Sequence, residues 1–199
     1  SNNKIKKKIV KYRNIKYFKR NNKSGRGSAV IFGMKQMIKE KKIDIIVEMD
    51  TDLSSHPREL PKNIKFFNKE KLDLLIMSRY LPGSKIINWP LRRRIFSFFS
   101  NKLANFLLKA KVSDYTMGYR VYSKKAIIQI AKNCGKVGSG FIVLSEILAE
   151  LHYNNYKIKD TKTTFINREK GDSTVGLKLI YESLIGIFKI YFKYRKIKI

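Results

Sequence analysis

Ile43-Asp44-Ile45-Ile46-Val47-Glu48-Met49 runs directly into Asp50-Thr51-Asp52-Leu53-Ser54, and the join between the two decides the fold. The apolar run is β-branched at its centre, which predicts a strand buried at its middle. A strand of that kind belongs in a sheet covered by helices. Asp50 and Asp52 then stand at its carboxyl end, where open α/β sheets place their ligands.

Upstream, Ile15-Lys16-Tyr17-Phe18 reads as a short β-like run, and the polar turn Asn21 to Gly27 leads into a helix from Ser28 to Lys41. On that helix Val30, Ile31, Met34, Met37 and Ile38 recur at helical spacing. Downstream, a short helix follows Pro57 with Leu60, Ile64 and Phe67 as its apolar side, and the strand Leu72 to Met77 leads to Ser78-Arg79-Tyr80. Pro82, Gly83 and Pro90 mark a loop. A helix from Leu91 to Lys109 then turns Ile95, Phe98, Phe99, Leu103, Phe106 and Leu107 toward a core or a lipid surface. A β-like segment around Tyr119 to Tyr122, a helix from Phe141 to His152 and a strand from Lys157 to Ile166 complete the order. Strands alternating with helices predict an α/β fold with a mainly parallel sheet flanked by helices.

At 199 residues, with 43% hydrophobic side chains, the chain holds one folded domain with a substantial core, and no internal repeat or long linker divides it. The single cysteine, Cys134, excludes a disulfide scaffold and a cysteine-based zinc site. His56 and His152 lie on separate elements with no third partner, so neither reads as a metal ligand. Lys+Arg 44 against Asp+Glu 15 gives a net charge of +29, which favours nucleic acid, anionic lipid or phosphorylated substrates. The abundance of Lys, Ile and Asn is also what AT-rich coding produces. The cation-studded stretch from Lys4 to Arg26 does not read as a signal peptide, and no apolar run is long enough to predict a spanning helix.

Two carboxylates at i and i+2 repel unless a cation lies between them or one takes a proton; a hard divalent ion bridging to diphosphate oxygens relieves the repulsion. A bare D-x-D also serves as a turn in which each Asp caps a backbone N–H. The residues that follow extend the pattern. Val47 to Ser54 with Pro57-Arg58-Glu59-Leu60-Pro61, then Ser78-Arg79-Tyr80, then Trp89 with Arg93 and Ser97 occur in series. Asp114 with Gly118-Tyr119-Arg120-Val121-Tyr122, Gly140-Phe141 with Glu146, and Phe165 with Arg168, Gly171 and Ser173 continue it. In order and approximate spacing this series resembles the polyprenyl- or dolichyl-phosphate mannose synthases among the family 2, GT-A-type glycosyltransferases. The resemblance runs from about Ser24 to Ser173, and it departs at Ser55, where a histidine is usual, and at Met117, where a serine is usual.

The resemblance implies an inverting transferase that moves mannose from GDP-mannose to a polyprenyl or dolichyl phosphate at the cytoplasmic membrane face, with Mg2+ or Mn2+ as cofactor. Asp52 is then the first choice for the metal, and Asp50 shares it or bonds the donor sugar. Arg168 reaches the donor diphosphate and stabilises the leaving nucleotide, and Ser173 lies on the donor side. Arg79, Arg93 and Ser97 hold the acceptor phosphate, an anionic nucleophile that needs no general base. Arg92 and Arg94 face lipid headgroups, and Asp114, Arg120 and Glu146 orient the acceptor loop or form a buried ion pair. Trp89 is an interfacial anchor or a core residue. That family opens with a P-x-Y-N-E strand that Ser1 to Arg20 does not resemble. The expectation is therefore a partial, N-terminally truncated GT-A domain over 1–174: a fragment of a longer protein, or a domain whose nucleotide-binding half lies on a second chain, or one that holds the donor without it.

Residues 175–199 read as an amphipathic C-terminal helix. Lys178, Glu182, Gly186, Lys189, Lys193 and Lys196 form a narrow polar stripe, and the broad apolar face suits a bilayer interface or packing on the domain. The expected location is cytoplasmic and peripheral to an anionic membrane. Rival readings are a related transferase with a UDP-sugar donor, a non-catalytic membrane-associated module, and a basic nucleic-acid-binding module. The last leaves Asp50, Asp52 and the Arg–Ser series unexplained, so no nucleic acid is expected.

Overall fold

The computed structural model describes residues 11–12, 14–20, 25–138, 140–167 and 177–195. Helix α1 (Gly25–Ile38) leads to strand β1 (Ile45–Glu48), a 3-10 turn (Pro57–Glu59), α2 (Leu60–Lys69) and β2 (Leu74–Ser78). Strand β3 (Lys85–Ile87), α3 (Leu91–Leu108), β4 (Arg120–Ser123), α4 (Lys124–Asn133) and α5 (Ile142–Tyr153) follow. Strands β5 (Ile158–Lys162) and β6 (Thr164–Ile166) and helix α6 (Leu177–Arg195) end the described chain.

The main sheet has the order β1-β4-β2-β5. Strands β1, β2 and β5 point the same way, as a mainly parallel sheet requires, but β4 enters between β1 and β2 in the opposite direction. Within this sheet, among the described residues, only the β2–β5 pairing is therefore parallel, with Leu74 opposite Ile158 and Met77 opposite Thr161. Every residue of β2 is buried, which is why Leu74-Leu75-Ile76-Met77 shows no alternation of apolar and polar side chains. Helix α1 packs on α4 and α5, α5 packs on α6, and α6 also packs on α3. Ile31, Met34, Ile127, Ile130, Ile147, Leu151, Ile187 and Ile190 join β2 and β4 in one core.

Four elements differ from the sequence expectation. Residues 15–18 are irregular, and Phe18 packs edge-on against Phe32 of α1, their ring centroids 6.2 Å apart. Helix α4 begins with no intervening turn, because Ser123 ends β4 and caps the helix by accepting the Ala126 N–H at 3.2 Å. The strand expected over Lys157 to Ile166 is two: β5 in the main sheet and β6, which pairs in parallel with β3 in a separate two-stranded sheet. Part of the Pro82–Pro90 loop is thus β3, too short to show a period. That small sheet also takes up the loop after the Asp pair, since the Ile166 N–H donates to the Ser54 carbonyl at 3.0 Å and Ser55 bridges to Phe165.

Candidate active site

Asp50 and Asp52 leave the carboxyl end of β1 in an exposed turn. Leu53 sits at φ 60, a left-handed conformation that reverses the chain, and the Asp52 Oδ1 accepts the Ser54 N–H at 3.0 Å. The carboxylate therefore does brace its own turn, as the local-capping alternative requires, and this turn returns the chain to the small sheet.

Asp50 is held by a residue that sequence reasoning passed over. Arg26, in the first turn of α1, places Nη2 3.1 Å from Asp50 Oδ1 and Nη1 3.1 Å from Glu48 Oε1. Its guanidinium lies over the Phe141 ring at 5.6 Å and against Gly118, where a Cβ would come within 2.0 Å of Nη2. A side chain at Gly118 would force the guanidinium to shift. Burial opposes the Arg26 charge, but Glu48 and Asp50 outweigh it and raise the pKa above the ordinary arginine value. Burial likewise pushes the Glu48 carboxyl above the usual range, and Arg26, Arg120 and the Tyr122 hydroxyl offset only part of that. The available signal was Gly25-Arg26-Gly27, a cation flanked by glycines at a helix start, which reads as a turn until the fold brings it to β1.

On the other side, Arg79 leaves the end of β2 and closes its fork on Asp114: Nε donates to Oδ2 at 2.7 Å and Nη2 to Oδ1 at 2.8 Å. Nη2 also donates to Thr116 Oγ1 at 2.8 Å. The guanidinium expected to grip phosphate is thus engaged with a buried carboxylate. Burial would raise the Asp114 pKa, but Arg79 and the backbone N–H groups of Arg79 and Thr116 prevail and hold it below the usual range. Arg120, fully buried, ties the same loop by donating to the carbonyls of Met117, Tyr115 and Leu144 at 2.7–2.9 Å. Glu146 stands apart from this network, accepting the Gly135 N–H at 2.8 Å and pairing with Lys193 of α6 at 3.5 Å.

Trp89 is half-buried between cations. Arg79 lies 5.0 Å and Arg93 5.5 Å from its ring centroid, and Phe165 packs against it at 5.5 Å. Ser97 follows Arg93 by one helical turn, and Asn101 Nδ2 donates to its carbonyl at 2.8 Å. Beside this stack lies a cavity of about 370 Å³, whose polar wall includes Arg79, Ser84 and Arg94 and whose apolar wall includes Leu91, Ile95 and Phe99. Arg94, which the sequence reading gave to lipid headgroups, lines this cavity. Arg168 and Ser173 lie outside the described residues; the strand leading to them, β6, carries Phe165.

A carboxylate pair at a strand end is thus linked, through Arg26 and the Gly118 loop, to a cavity lined by arginines and apolar side chains. Residues 1–131 match the family model described as glycosyl transferase family 2. The chain belongs to that family. It is 30% identical over 84% of its length to an undecaprenyl-phosphate mannosyltransferase of Micrococcus luteus, covering 68% of that protein. It is 31% identical over 84% of its length to a polyprenol monophosphomannose synthase of Mycolicibacterium smegmatis, covering 62% of it. A dolichol-phosphate mannosyltransferase of Pyrococcus furiosus is 32% identical over 88% of this chain, which covers 47% of that protein. The chain therefore spans about half to two thirds of the length of these relatives. Among solved structures, glucosyl-3-phosphoglycerate synthase of Mycobacterium tuberculosis in complex with UDP shares the fold. Its TM-score is 0.56 at 14% identity, over 84% of this chain and 55% of that one.

Proposed function

We propose that this chain carries the transfer site of an inverting mannosyltransferase that uses GDP-mannose and a polyprenyl phosphate. The observation that carries the reading is the cavity whose wall changes from arginine to Leu91, Ile95 and Phe99. A polyprenyl phosphate has the same division: a dianionic head for the guanidinium groups and a branched hydrocarbon tail for the apolar wall. Similarity to the three mannosyltransferases supports the sugar and the acceptor class.

In this reading Arg94 and Arg93 bind the acceptor phosphate, while Arg79 positions the loop that faces it through Asp114. The phosphate oxygen is already charged, so the residues orient it and exclude water rather than remove a proton. Asp50 and Asp52 supply hard oxygen ligands of the kind Mg2+ and Mn2+ prefer, and both are exposed, so donor phosphate and water complete the set. A metal held there would neutralise charge on the leaving diphosphate, a role that Arg168 would share. Among the described residues no helix is long and apolar enough to cross a membrane. Docking is instead assigned to exposed Phe99 and Phe106 of α3, Phe188 and Phe192 of α6, and the surrounding cations.

The test is transfer of labelled mannose from GDP-mannose to a polyprenyl phosphate in mixed micelles, with and without Mn2+. Metal-dependent formation of a mannosylated lipid supports the reading; transfer only from a UDP-sugar replaces the donor.

A further inference from the structure

Glu48 and Asp50 project from one end of β1 toward a single guanidinium, each 3.1 Å from a different nitrogen of Arg26. Arg26 lies against Gly118 on one side and over the Phe141 ring at 5.6 Å on another. Helix α1 is itself fixed closely, because Gly27 sits where a Cβ would come within 2.7 Å of the Gly140 carbonyl oxygen. The cation is thus closely surrounded on the Asp50 side, and it contacts a carboxylate assigned to metal binding. Two cations competing for Asp50 repel one another strongly at such range.

We propose that Arg26 is the resident counter-cation of Asp50, which must release that carboxylate before a divalent ion can use it. The proposal rests on the reading of Asp50 as a metal-side residue. Glu48 gives Arg26 a second anchor, so release of Asp50 leaves the guanidinium paired rather than stranded. Because Arg26 also fills the space at Gly118, its position is felt by the loop that carries Asp114 and Met117. Arg26 is a positioning residue in this account, and its effect is on metal affinity.

The experiment is Mn2+ titration of the full chain at low ionic strength, read by water-proton relaxation, which needs neither donor nor turnover. Arg26→Gln removes the competing charge and is expected to tighten Mn2+ binding by about five- to tenfold, or to reveal binding where the parent shows none. Arg26→Lys keeps the charge and stays near the parent. Arg26→Gln combined with Asp50→Asn loses the gain. If Arg26→Gln leaves Glu48 uncompensated and the fold suffers, Arg26→Gln/Glu48→Gln compared with Glu48→Gln alone makes the same measurement. Unchanged, weaker or undetectable Mn2+ binding in a folded Arg26→Gln chain overturns the proposal, as does a gain that survives Asp50→Asn. Failure of mannosyl transfer does not alter this comparison, and its failure does not alter the transfer result.

Discussion

Arg79 and Asp114 form a buried ion pair beside the arginine-lined cavity. Asp114→Asn removes one charge and leaves the other without its partner in the interior, so chemical denaturation should show a loss of about 3–5 kcal/mol. The acid limb tests the same pair. With its folded-state pKa below the ordinary value, Asp114 contributes stability that is present above pH about 4 and lost as pH falls through the lower value. In Asp114→Asn that part of the acid limb should be flatter. The sequence places Ser78-Arg79-Tyr80 and Asp114 in one series, and the fold brings Arg79 and Asp114 together. That Arg79 would point inward was not, because a guanidinium serves a phosphate and a carboxylate equally well and only the fold brings Asp114 within 2.7 Å. Arg92-Arg93-Arg94 was ambiguous for a related reason: successive helical residues point about 100° apart, so the triplet cannot all serve one ligand. Arg93→Ala and Arg94→Ala should each raise the acceptor KM about tenfold with the donor KM little changed, whereas Arg92→Ala should leave both near the parent in the micellar transfer reaction.

Helix α6 shows how an amphipathic element divides between a core and a surface. Its sequence periodicity assigned Gly186 to a polar stripe, but Gly186 is buried against Ile142 of α5, where a Cβ would approach Cγ1 to 2.5 Å. Glycine is apolar in effect when it allows two helices to approach, and composition cannot distinguish that use from an exposed one. Ile187, Ile190 and Tyr194 complete the buried face, and the Tyr194 hydroxyl donates to Glu150. Gly186→Ala should cost about 1–3 kcal/mol by overpacking, and Ile142→Ala should recover part of it in a double-mutant cycle. Lys178 and Lys196 of the expected stripe fall outside what is described of side chains. On α3 the division is complementary: Asn101, Ala104 and Leu108 face inward while Phe99 and Phe106 are 64% and 75% exposed. Its apolar residues were legible, but whether they met core or lipid was not, since the sequence does not reveal how much apolar surface neighbouring helices cover. Phe99→Asp/Phe106→Asp should lower anionic-vesicle binding severalfold in a flotation measurement with little loss in thermal midpoint.

At the scale of the whole molecule, the net charge of +29 sets a field that any anionic surface or substrate meets. Vesicle binding should weaken as salt rises and persist in part, because apolar insertion is not screened. The alternation of strands and helices, and the Asp pair at the end of β1, followed from the sequence because apolar runs and polar turns have distinct local signatures, although β1 is only half-buried rather than buried at its centre. The reversed entry of β4, the pairing of β3 with β6 and the junction of Arg26 with Asp50 depend on which segments meet, which no local pattern encodes. Loss of the inward face of α6 should also unfold the domain rather than merely detach it from vesicles, since its buried residues belong to the common core. In the proposed reaction, carboxylates serve the donor side and arginines the lipid-phosphate side. Its most direct measurement is mannose transfer from GDP-mannose to polyprenyl phosphate in micelles with Mn2+, comparing the parent with Asp52→Ala and Arg94→Ala. The account predicts a mannosylated polyprenyl phosphate from the parent, none from Asp52→Ala and a raised acceptor KM for Arg94→Ala; transfer that both variants perform as well as the parent would contradict it.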